Sequence, residues 1–274
     1  MSTTSPSTTE ISAPQRGLSP VEIDAFIRDG YVAVPGFLPA EDVNRLRGWV
    51  GDVERWPEAR GAGWLQHDEQ TSGGVRRTRT ENFSPFHDGL RALLAAGAVP
   101  AMAGQLLGEP AVLYKEKVNY KHSGGAGFAA HQDAPAYPHI TVSVSCLLAV
   151  DDSTVENGCL EFVSGMHYEL LPTDGDGCIR SDIAETLTWH PFPVESGSVV
   201  WFHSHTPHRS GPNRSPTSRR ALYLTYNAAS LGNLHETYYR DKRAALSAAA
   251  AGGDVQRVSL IGHFRGLAPT ESNK

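Results

Sequence analysis

The chain of 274 residues is long enough to bury one sizeable core, and its 40% hydrophobic and 20% charged residues are typical of a globular protein. Its formal net charge of −6 argues against a nucleic-acid-binding protein whose affinity comes from a basic face. The three cysteines are an odd number without a CxxC pair, which predicts no disulfide framework and favours a reducing cytoplasm.

The first 18 residues predict a disordered tail, because they are rich in Ser and Thr and lack the apolar stretch of a signal peptide. No apolar run approaches the roughly 20 residues that a membrane span needs, so we expect no membrane partner. Nothing at 150–180 resembles a linker. We therefore predict one domain over residues 19–266, with a C-terminal tail at 267–274.

Helices are predicted first along the chain. Ser19, followed by Pro and by Glu three residues later, forms a capping box for a helix that runs to about Asp29 and ends at Gly30. The stretch YVAVPGF predicts a short strand, and a second helix runs from Pro39 to about Trp56.

Residues 57–78 are polar and Gly-rich and predict a long loop, of a length that would suit a lid over a site. Residues 87–107 and 236–251 predict two further helices.

The sequence period changes at Ala111. In AVLYKEKVNYK the side chains alternate, with Tyr114, Glu116 and Val118 on one face and Lys115, Lys117 and Asn119 on the other. Further strands are predicted in HITVSVSCLLAV, GCLEFV, GSVVWFH and RALYLTYN. Helices followed by many antiparallel strands predict a mainly β sandwich or barrel with flanking helices.

The stretch HQDAPAY at 131–137 contains candidate metal ligands. On a strand, His131 and Asp133 would point to the same face, and Gln132 would point away. Such a triplet is weak by itself, and a surface pair near a turn is the competing interpretation.

A second stretch, residues 201–227, strengthens the metal hypothesis. It contains three histidines and then a Gly-Pro-Asn turn before two arginines. A hairpin centred near residues 213–214 would place His208 across from Arg219. Two histidines and one carboxylate form the facial triad of non-haem Fe(II) oxygenases, and an arginine can hold the far carboxylate of a 2-oxo acid.

These stretches resemble the phytanoyl-CoA dioxygenase family of Fe(II)- and 2-oxoglutarate-dependent oxygenases. The resemblance is carried by HQD, by NGCLEFVSGMH (157–167) and by HRSGPNRSPTSR (208–219). It extends to FIRDGYVAVPGFL (26–38) and RTENF (79–83), and so covers roughly residues 20–240. It implies a double-stranded β-helix core of the jelly-roll or cupin-like type.

The resemblance also implies roles for individual residues. The implied iron ligands are His131, Asp133 and His208, and Arg219 is the implied clamp on the C5 carboxylate of 2-oxoglutarate. The further residues implied near the co-substrate are Ser210, Arg79, Asn119 and Lys117. With O₂ as the second co-substrate, the enzyme would hydroxylate an unactivated C–H and release succinate and CO₂. Halogenases of this type have a small residue at the carboxylate position, so Asp133 favours hydroxylation.

The expected substrate is a small polar metabolite, such as a phosphonate or a natural-product intermediate, because the motifs resemble bacterial members that act on such compounds. Basic clusters in the chain would suit an anion. The candidate substrate residues are Gln132, Tyr137, His139, Arg76, Arg77, Trp201, Tyr223 and Asn227. The sequence does not indicate an oligomeric state.

Several alternatives stay open. His203 and His205 compete with His208 as ligands, Arg220 competes with Arg219, and the lysines at 115 and 117 could form an exposed strand face. The same iron site could catalyse desaturation, epimerisation or ring closure. A non-catalytic cupin-like binding protein would be expected to have lost a ligand or the arginine. A zinc hydrolase would leave Arg219 unexplained.

Overall fold

Two antiparallel sheets form the protein in the computed structural model, which describes residues 11, 16–57, 62–71, 74–251 and 264–265. The strands are β1 (Tyr31–Val34), β2 (Leu65–Thr71), β3 (Gly74–Glu81), β4 (Ala111–Lys121), β5 (Gly127–His131), β6 (Val144–Ala149), β7 (Leu160–Phe162), β8 (His190–Phe192), β9 (Val199–His203), β10 (His208–Ser210), β11 (Arg219–Ala228) and β12 (Phe264–Arg265). The larger sheet has the order β1-β9-β6-β11-β4-β3-β2, and the smaller sheet has the order β12-β5-β10-β7-β8.

The helices follow the predicted order, except that one predicted helix is interrupted and one short helix was not predicted. They are α1 (Pro20–Asp29), α2 (Ala40–Glu54), α3 (Asp88–Ala95), α4 (Ala98–Leu107), α5 (Ser181–Ala184) and α6 (His235–Ala251). The capping box at Ser19 is present, and Gly30 ends α1 with a φ of 85°. The single helix expected over residues 87–107 is instead two helices, because Gly97 adopts a φ of 78° between them.

The helices cover the outer face of the larger sheet. Trp201 and Tyr226 point to this side and pack in one cluster with Leu46, Leu94 and Met102 of the helices. The stretch Asp88–Leu107 is long and apolar enough to cross a membrane by length and composition. Within this stretch, Leu94 and Met102 are fully buried in the core.

The predicted loop at 57–78 is largely a β-hairpin. Strands β2 and β3 pair with each other, and β3 extends the larger sheet through the pair Arg79↔Asn119. These strands could not be predicted, because their sequences lack the alternation of apolar and polar residues. Their charged residues instead pair across the hairpin, as in the 3.3 Å contact between Arg77 Nε and Asp68 Oδ1. Residues 58–61 and 72–73 lie outside the described residues.

The predicted hairpin between His208 and Arg219 was wrong. Strand β10 pairs with β5 and β7 in the smaller sheet, whereas β11 pairs with β4 and β6 in the larger one. The connection crosses between the sheets and is held by Asn213, whose amide donates to the carbonyls of Lys121 and Thr217. His208 and Arg219 therefore come from facing sheets.

The predicted tails fall mostly outside the described residues. Leu18 is an exception, because its side chain is buried and its backbone exchanges two hydrogen bonds with the side chain of Gln105. Packing thus begins before Ser19. The cysteines Cys146, Cys159 and Cys178 are free and buried, in agreement with the expected absence of disulfides among them.

Candidate active site

The two histidines and the aspartate of the predicted triad lie together between the sheets. His131 ends β5 and pairs directly with His208, which begins β10. The Asp133 Oδ1 atom lies 3.9 Å from Nε2 of each histidine, and one ligand atom from each residue falls within 4.8 Å of the others. Asp133 is not on a strand, as its φ of −73° and ψ of −32° begin a short 3₁₀ helix. The turn, and not strand alternation, brings the carboxylate to the histidines.

Hydrogen bonds fix which atom of each ligand faces the centre of the triad. The Nδ1 atoms of His131 and His208 donate to the carbonyls of Ala129 (2.7 Å) and Thr206 (2.9 Å), because a carbonyl can only accept. Each Nε2 therefore keeps its lone pair for a metal. The Ser145 hydroxyl donates to Oδ2 of Asp133 at 2.7 Å, which leaves Oδ1.

The protonation states of these groups suit metal binding. Burial, with the neighbouring His208, lowers the pKa of His131 to about 3. Burial would raise the pKa of Asp133, but His208 and His131 outweigh it and lower this pKa to about 2. At neutral pH the imidazoles are neutral and the carboxylate is ionised, which is the form in which such groups bind a metal. The donor set and its orientation fit Fe(II) with open positions.

Arg219 forms a buried cationic pocket at one end of the site. Its side chain is 2% exposed and its Nη2 donates to the Gly158 carbonyl at 3.2 Å. Its Nε and Nη1 atoms are buried without a hydrogen-bond partner among the described residues. The Lys121 ammonium lies in the same pocket and donates to Gly158 O and to Ser210 Oγ. Unsatisfied donors of a buried guanidinium are costly, so the pocket fits a carboxylate such as C5 of 2-oxoglutarate.

A cavity between the two sheets contains the triad. The face of β4 that was predicted to carry Lys115, Lys117 and Asn119 lines it. Asn119 accepts a hydrogen bond from Arg79 Nε at 3.1 Å, and Arg79 itself is buried behind this wall.

Among the predicted substrate residues, Tyr137 and Tyr223 line the cavity. The Tyr137 hydroxyl lies 3.2 Å from Thr225 Oγ1 in the same wall. Ser210 also lines the cavity and accepts from Lys121 at 2.9 Å, which leaves its own hydroxyl hydrogen available as a donor.

The other candidate substrate residues lie elsewhere. Gln132 is buried and donates to the carbonyls of Glu169 and His205, so it anchors a neighbouring loop. His139 pairs with Asp241 at the surface, with an Nε2–Oδ2 distance of 2.9 Å.

Trp201 packs on the helix side of the larger sheet, because strand alternation turns Phe202 toward the cavity instead. Asn227 is buried and donates to the carbonyls of Ala228 and Gly232. Arg76 is exposed on the hairpin, and Arg77 donates to Asp68 and to the Trp56 carbonyl.

The structure also settles the placement of the competing residues. Arg220 points to the opposite face from Arg219 and forms two side-chain hydrogen bonds with Asp151. His203 and His205 are outside the triad.

Two residues of the site were not predicted from the sequence. Ser145 could have been found, since alternation in the predicted strand HITVSVSCLLAV places it on the inward face. Tyr238 on α6 lies beside Lys115, and no pattern in the sequence connects these two distant segments.

Comparison with known proteins agrees with this geometry. Residues 26–221 match the family described as phytanoyl-CoA dioxygenase. The chain belongs to this family. It is 47% identical over 251 residues to a methylphosphonate hydroxylase of Gimesia maris, covering 91% of this chain and 96% of the relative. It is 40% identical over 224 residues to a 2-aminoethylphosphonate dioxygenase of an uncultured bacterium, covering 78% and 84%.

Solved structures are similar in fold. EctD of S. alaskensis, solved with 2-oxoglutarate and 5-hydroxyectoine, aligns with a TM-score of 0.68 at 22% identity, covering 82% of each chain. The epimerase SnoN, solved with Fe³⁺, α-ketoglutarate and nogalamycin RO, aligns with a TM-score of 0.63 at 24% identity, covering 76% and 83%. The predicted double-stranded β-helix core is confirmed. Family membership also confirms the predicted enzyme class, a non-haem iron dioxygenase that uses 2-oxoglutarate and O₂.

Proposed function

We propose that the enzyme hydroxylates a C–H bond of a small organophosphonate, consuming 2-oxoglutarate and O₂ and releasing succinate and CO₂. Two relatives named for phosphonate substrates support this substrate class, and the first of them is covered over 96% of its length. Identity at this level over nearly a whole chain favours a shared substrate class more than fold similarity does.

The observation that carries the proposal is a pair of lysines in the cavity. Lys115 is 6% exposed, and neither it nor Lys117 makes a hydrogen bond to another described residue. Each ammonium instead faces a ring, with Lys115 Nζ 5.2 Å from the centroid of Tyr137 and Lys117 Nζ 5.1 Å from that of Tyr223. Burial lowers the pKa of both lysines, and a bound oxyanion would favour their charged forms. A phosphonate supplies three acceptor oxygens and negative charge for this purpose.

Different residues of the chain would have different roles in such a reaction. Bound iron, held by His131, Asp133 and His208, would supply the oxidising chemistry at its open positions. Arg219 and Ser210 would hold the far carboxylate of 2-oxoglutarate, which orients the co-substrate along the cavity. Apolar side chains in the wall, including Phe128, Leu160 and Phe202, would keep water from the reacting C–H bond.

The test first mixes the protein with Fe(II) and 2-oxoglutarate without oxygen. The visible spectrum is then recorded for the metal-to-ligand charge-transfer band of the iron–2-oxoglutarate complex. Methylphosphonate and ethylphosphonate are then added with air, and succinate release and product mass are measured. We expect each turned-over phosphonate to gain one oxygen atom from ¹⁸O₂. The Asp133→Ala variant should lose the band and the turnover. The matched control Asp182→Ala, which removes an exposed aspartate, should keep both.

Two outcomes would contradict parts of this reading. If the band appears but no phosphonate stimulates succinate release, the substrate class is wrong and the enzyme class stands. If the intact protein gives no band, the iron and 2-oxoglutarate site itself is wrong.

A further inference from the structure

The charged groups of the cavity wall are unevenly distributed. Asp133 is the one acidic residue in the wall, as far as the described residues extend. Its Oδ2 accepts from Ser145, and its Oδ1 faces the two histidines of the triad. The same wall contains the ammonium groups of Lys115 and Lys117. An anion therefore finds partners here, whereas a cation finds no uncommitted carboxylate.

Two acidic residues behind the wall do not change this. Glu81 receives Lys242 Nζ at 2.7 Å on both of its oxygens, and Arg79 lies 3.3 Å away. Glu116 accepts from Ser84 and lies 2.7 Å from the ring nitrogen of His235. Both carboxylates are fully buried and already paired.

The two tyrosine rings of the wall already face ammonium groups of the protein. A ligand ammonium can bind a ring face, but Lys115 Nζ already lies 5.2 Å from the ring centroid of Tyr137 and 5.6 Å from that of Tyr238. Tyr223 faces Lys117 in the same way. A ligand ammonium would have to displace a lysine from each of these rings.

Strand register places Lys115 at the opposite end of the site from Arg219. Arg219 pairs with Lys121, and Lys115 is six residues earlier on the same strand, or about 20 Å away. Lys115 pairs with Thr225, which in turn pairs with Ser145, the residue bound to Asp133. The register thus places Lys115 level with Asp133 of the triad and about 20 Å along the strand from the Arg219 pocket.

From this arrangement we infer that Lys115 binds the phosphonate group of the substrate and that the cavity selects alkylphosphonates without a cationic group over aminoalkylphosphonates. The inference rests on the proposed function. The ammonium group of an aminoalkylphosphonate would lose its hydration in this cavity and find no acceptor to replace it. It would also lie near the positive charges of Lys115 and Lys117. Lys115 is in this reading a specificity-determining residue.

The substrate test uses ethylphosphonate and 2-aminoethylphosphonate, which share a carbon chain and differ in one amino group. With the iron-loaded wild-type enzyme, we expect kcat/KM from succinate release and product mass to favour ethylphosphonate by about tenfold or more. Equal use of the two, or a preference for the amino compound, overturns the inference and leaves the proposed function intact. Turnover of neither, with methylphosphonate also inactive, overturns the proposed function.

The residue test uses Lys115→Met, with Lys115→Gln as a second variant that keeps a donor. We expect the KM for ethylphosphonate to rise on the order of tenfold to a hundredfold, because a charge-assisted contact is lost. The Kd for 2-oxoglutarate, from the anaerobic charge-transfer titration, should stay within about twofold, since its pocket lies at the far end. Arg91→Met, which removes one exposed positive charge on α3, should change neither value. An unchanged KM in the variants, or a parallel loss of 2-oxoglutarate binding, overturns the assignment.

Discussion

Replacing Arg219 by Met tests the co-substrate pocket most directly. The substitution keeps a long side chain of similar reach but removes the charge and the five donors of the guanidinium. In the described structure two of the three guanidinium nitrogens, Nε and Nη1, have no hydrogen-bond partner, and the third bonds only to the Gly158 carbonyl at 3.2 Å. These two nitrogens are the donors that a carboxylate would occupy.

The magnitude follows from those two contacts. A hydrogen bond to a charged group contributes about 1.5–3 kcal/mol, and the variant loses two of them while Lys121 and Ser210 stay in the pocket. A loss of about 3–6 kcal/mol raises the Kd for 2-oxoglutarate by roughly a hundredfold to ten-thousandfold. Arg219→Lys keeps the charge but loses the two parallel donors of the guanidinium. Its Kd for 2-oxoglutarate should therefore lie between those of wild type and Arg219→Met.

The assay is an anaerobic titration of the iron-loaded protein with 2-oxoglutarate and with 2-oxopentanoate, which lacks the far carboxylate. Wild type should discriminate strongly between them, and Arg219→Met should bind the two with nearly equal Kd, since the group that reads the carboxylate is gone. Urea unfolding of the metal-free proteins serves as the folding control. Removing a buried, incompletely paired cation should leave the free energy of unfolding equal or higher. If the variant still prefers 2-oxoglutarate as wild type does, Arg219 does not bind the carboxylate and the pocket has been assigned wrongly.

Two further predictions concern the triad and its surroundings. Ser145→Ala removes the hydrogen bond to Oδ2 of Asp133, so the Fe(II) affinity measured by anaerobic titration should fall about 10–100-fold. Ser153→Ala is the control, because Ser153 is a buried serine whose hydroxyl has no hydrogen-bond partner among the described residues. This control should leave the Fe(II) affinity unchanged. Burial lowers the pKa of His203 to about 4 from 6.5, so the folded state binds fewer protons than the unfolded state between these values. The stability from neutral His203 is therefore complete above pH 6.5 and lost as the pH falls to 4, by about 2–3 kcal/mol after a reduction for the partial exposure of the ring to solvent. Urea unfolding at both ends of this window should show a smaller pH dependence in His203→Gln than in wild type or in the exposed-site control His190→Gln, and an unchanged dependence would disprove the assignment.

The parts of the fold that sequence reasoning predicted have local causes. The capping box at Ser19 and the left-handed Gly30 bound α1 without any help from the rest of the chain. The two alternating faces of β4 were predicted because the alternation continues over many residues, although the sequence left open whether the lysine face points inward. The three triad residues could be named from HQD and from the eleven-residue spacing to Arg219, which are features of the family motif.

The parts that were missed depend on pairing between distant segments. The hairpin of β2 and β3 has charged residues on paired positions, so its stabilising contacts are cross-strand and invisible to a pattern read along one strand. The crossing from β10 to β11 joins two sheets, yet its Gly-Pro-Asn sequence is equally typical of a hairpin turn. Trp201 was a candidate for the cavity wall, but strand register turns Phe202 toward the cavity and Trp201 toward the helices.

The residues on the inward face of β4 are unusually polar for a strand between two sheets. In a sheet of this kind an interior strand usually presents apolar residues to the space between the sheets, but β4 presents Lys115, Lys117, Asn119 and Lys121 in succession. Lys121 has acceptors in the Gly158 carbonyl and Ser210, and Asn119 has Arg79 as a donor. Lys115 and Lys117 have no such partner among the described residues and face tyrosine rings across the cavity instead. Since local sequence choices that conflict with the fold are expected at functional positions, these two inward-facing lysines support the proposed binding of an anionic substrate.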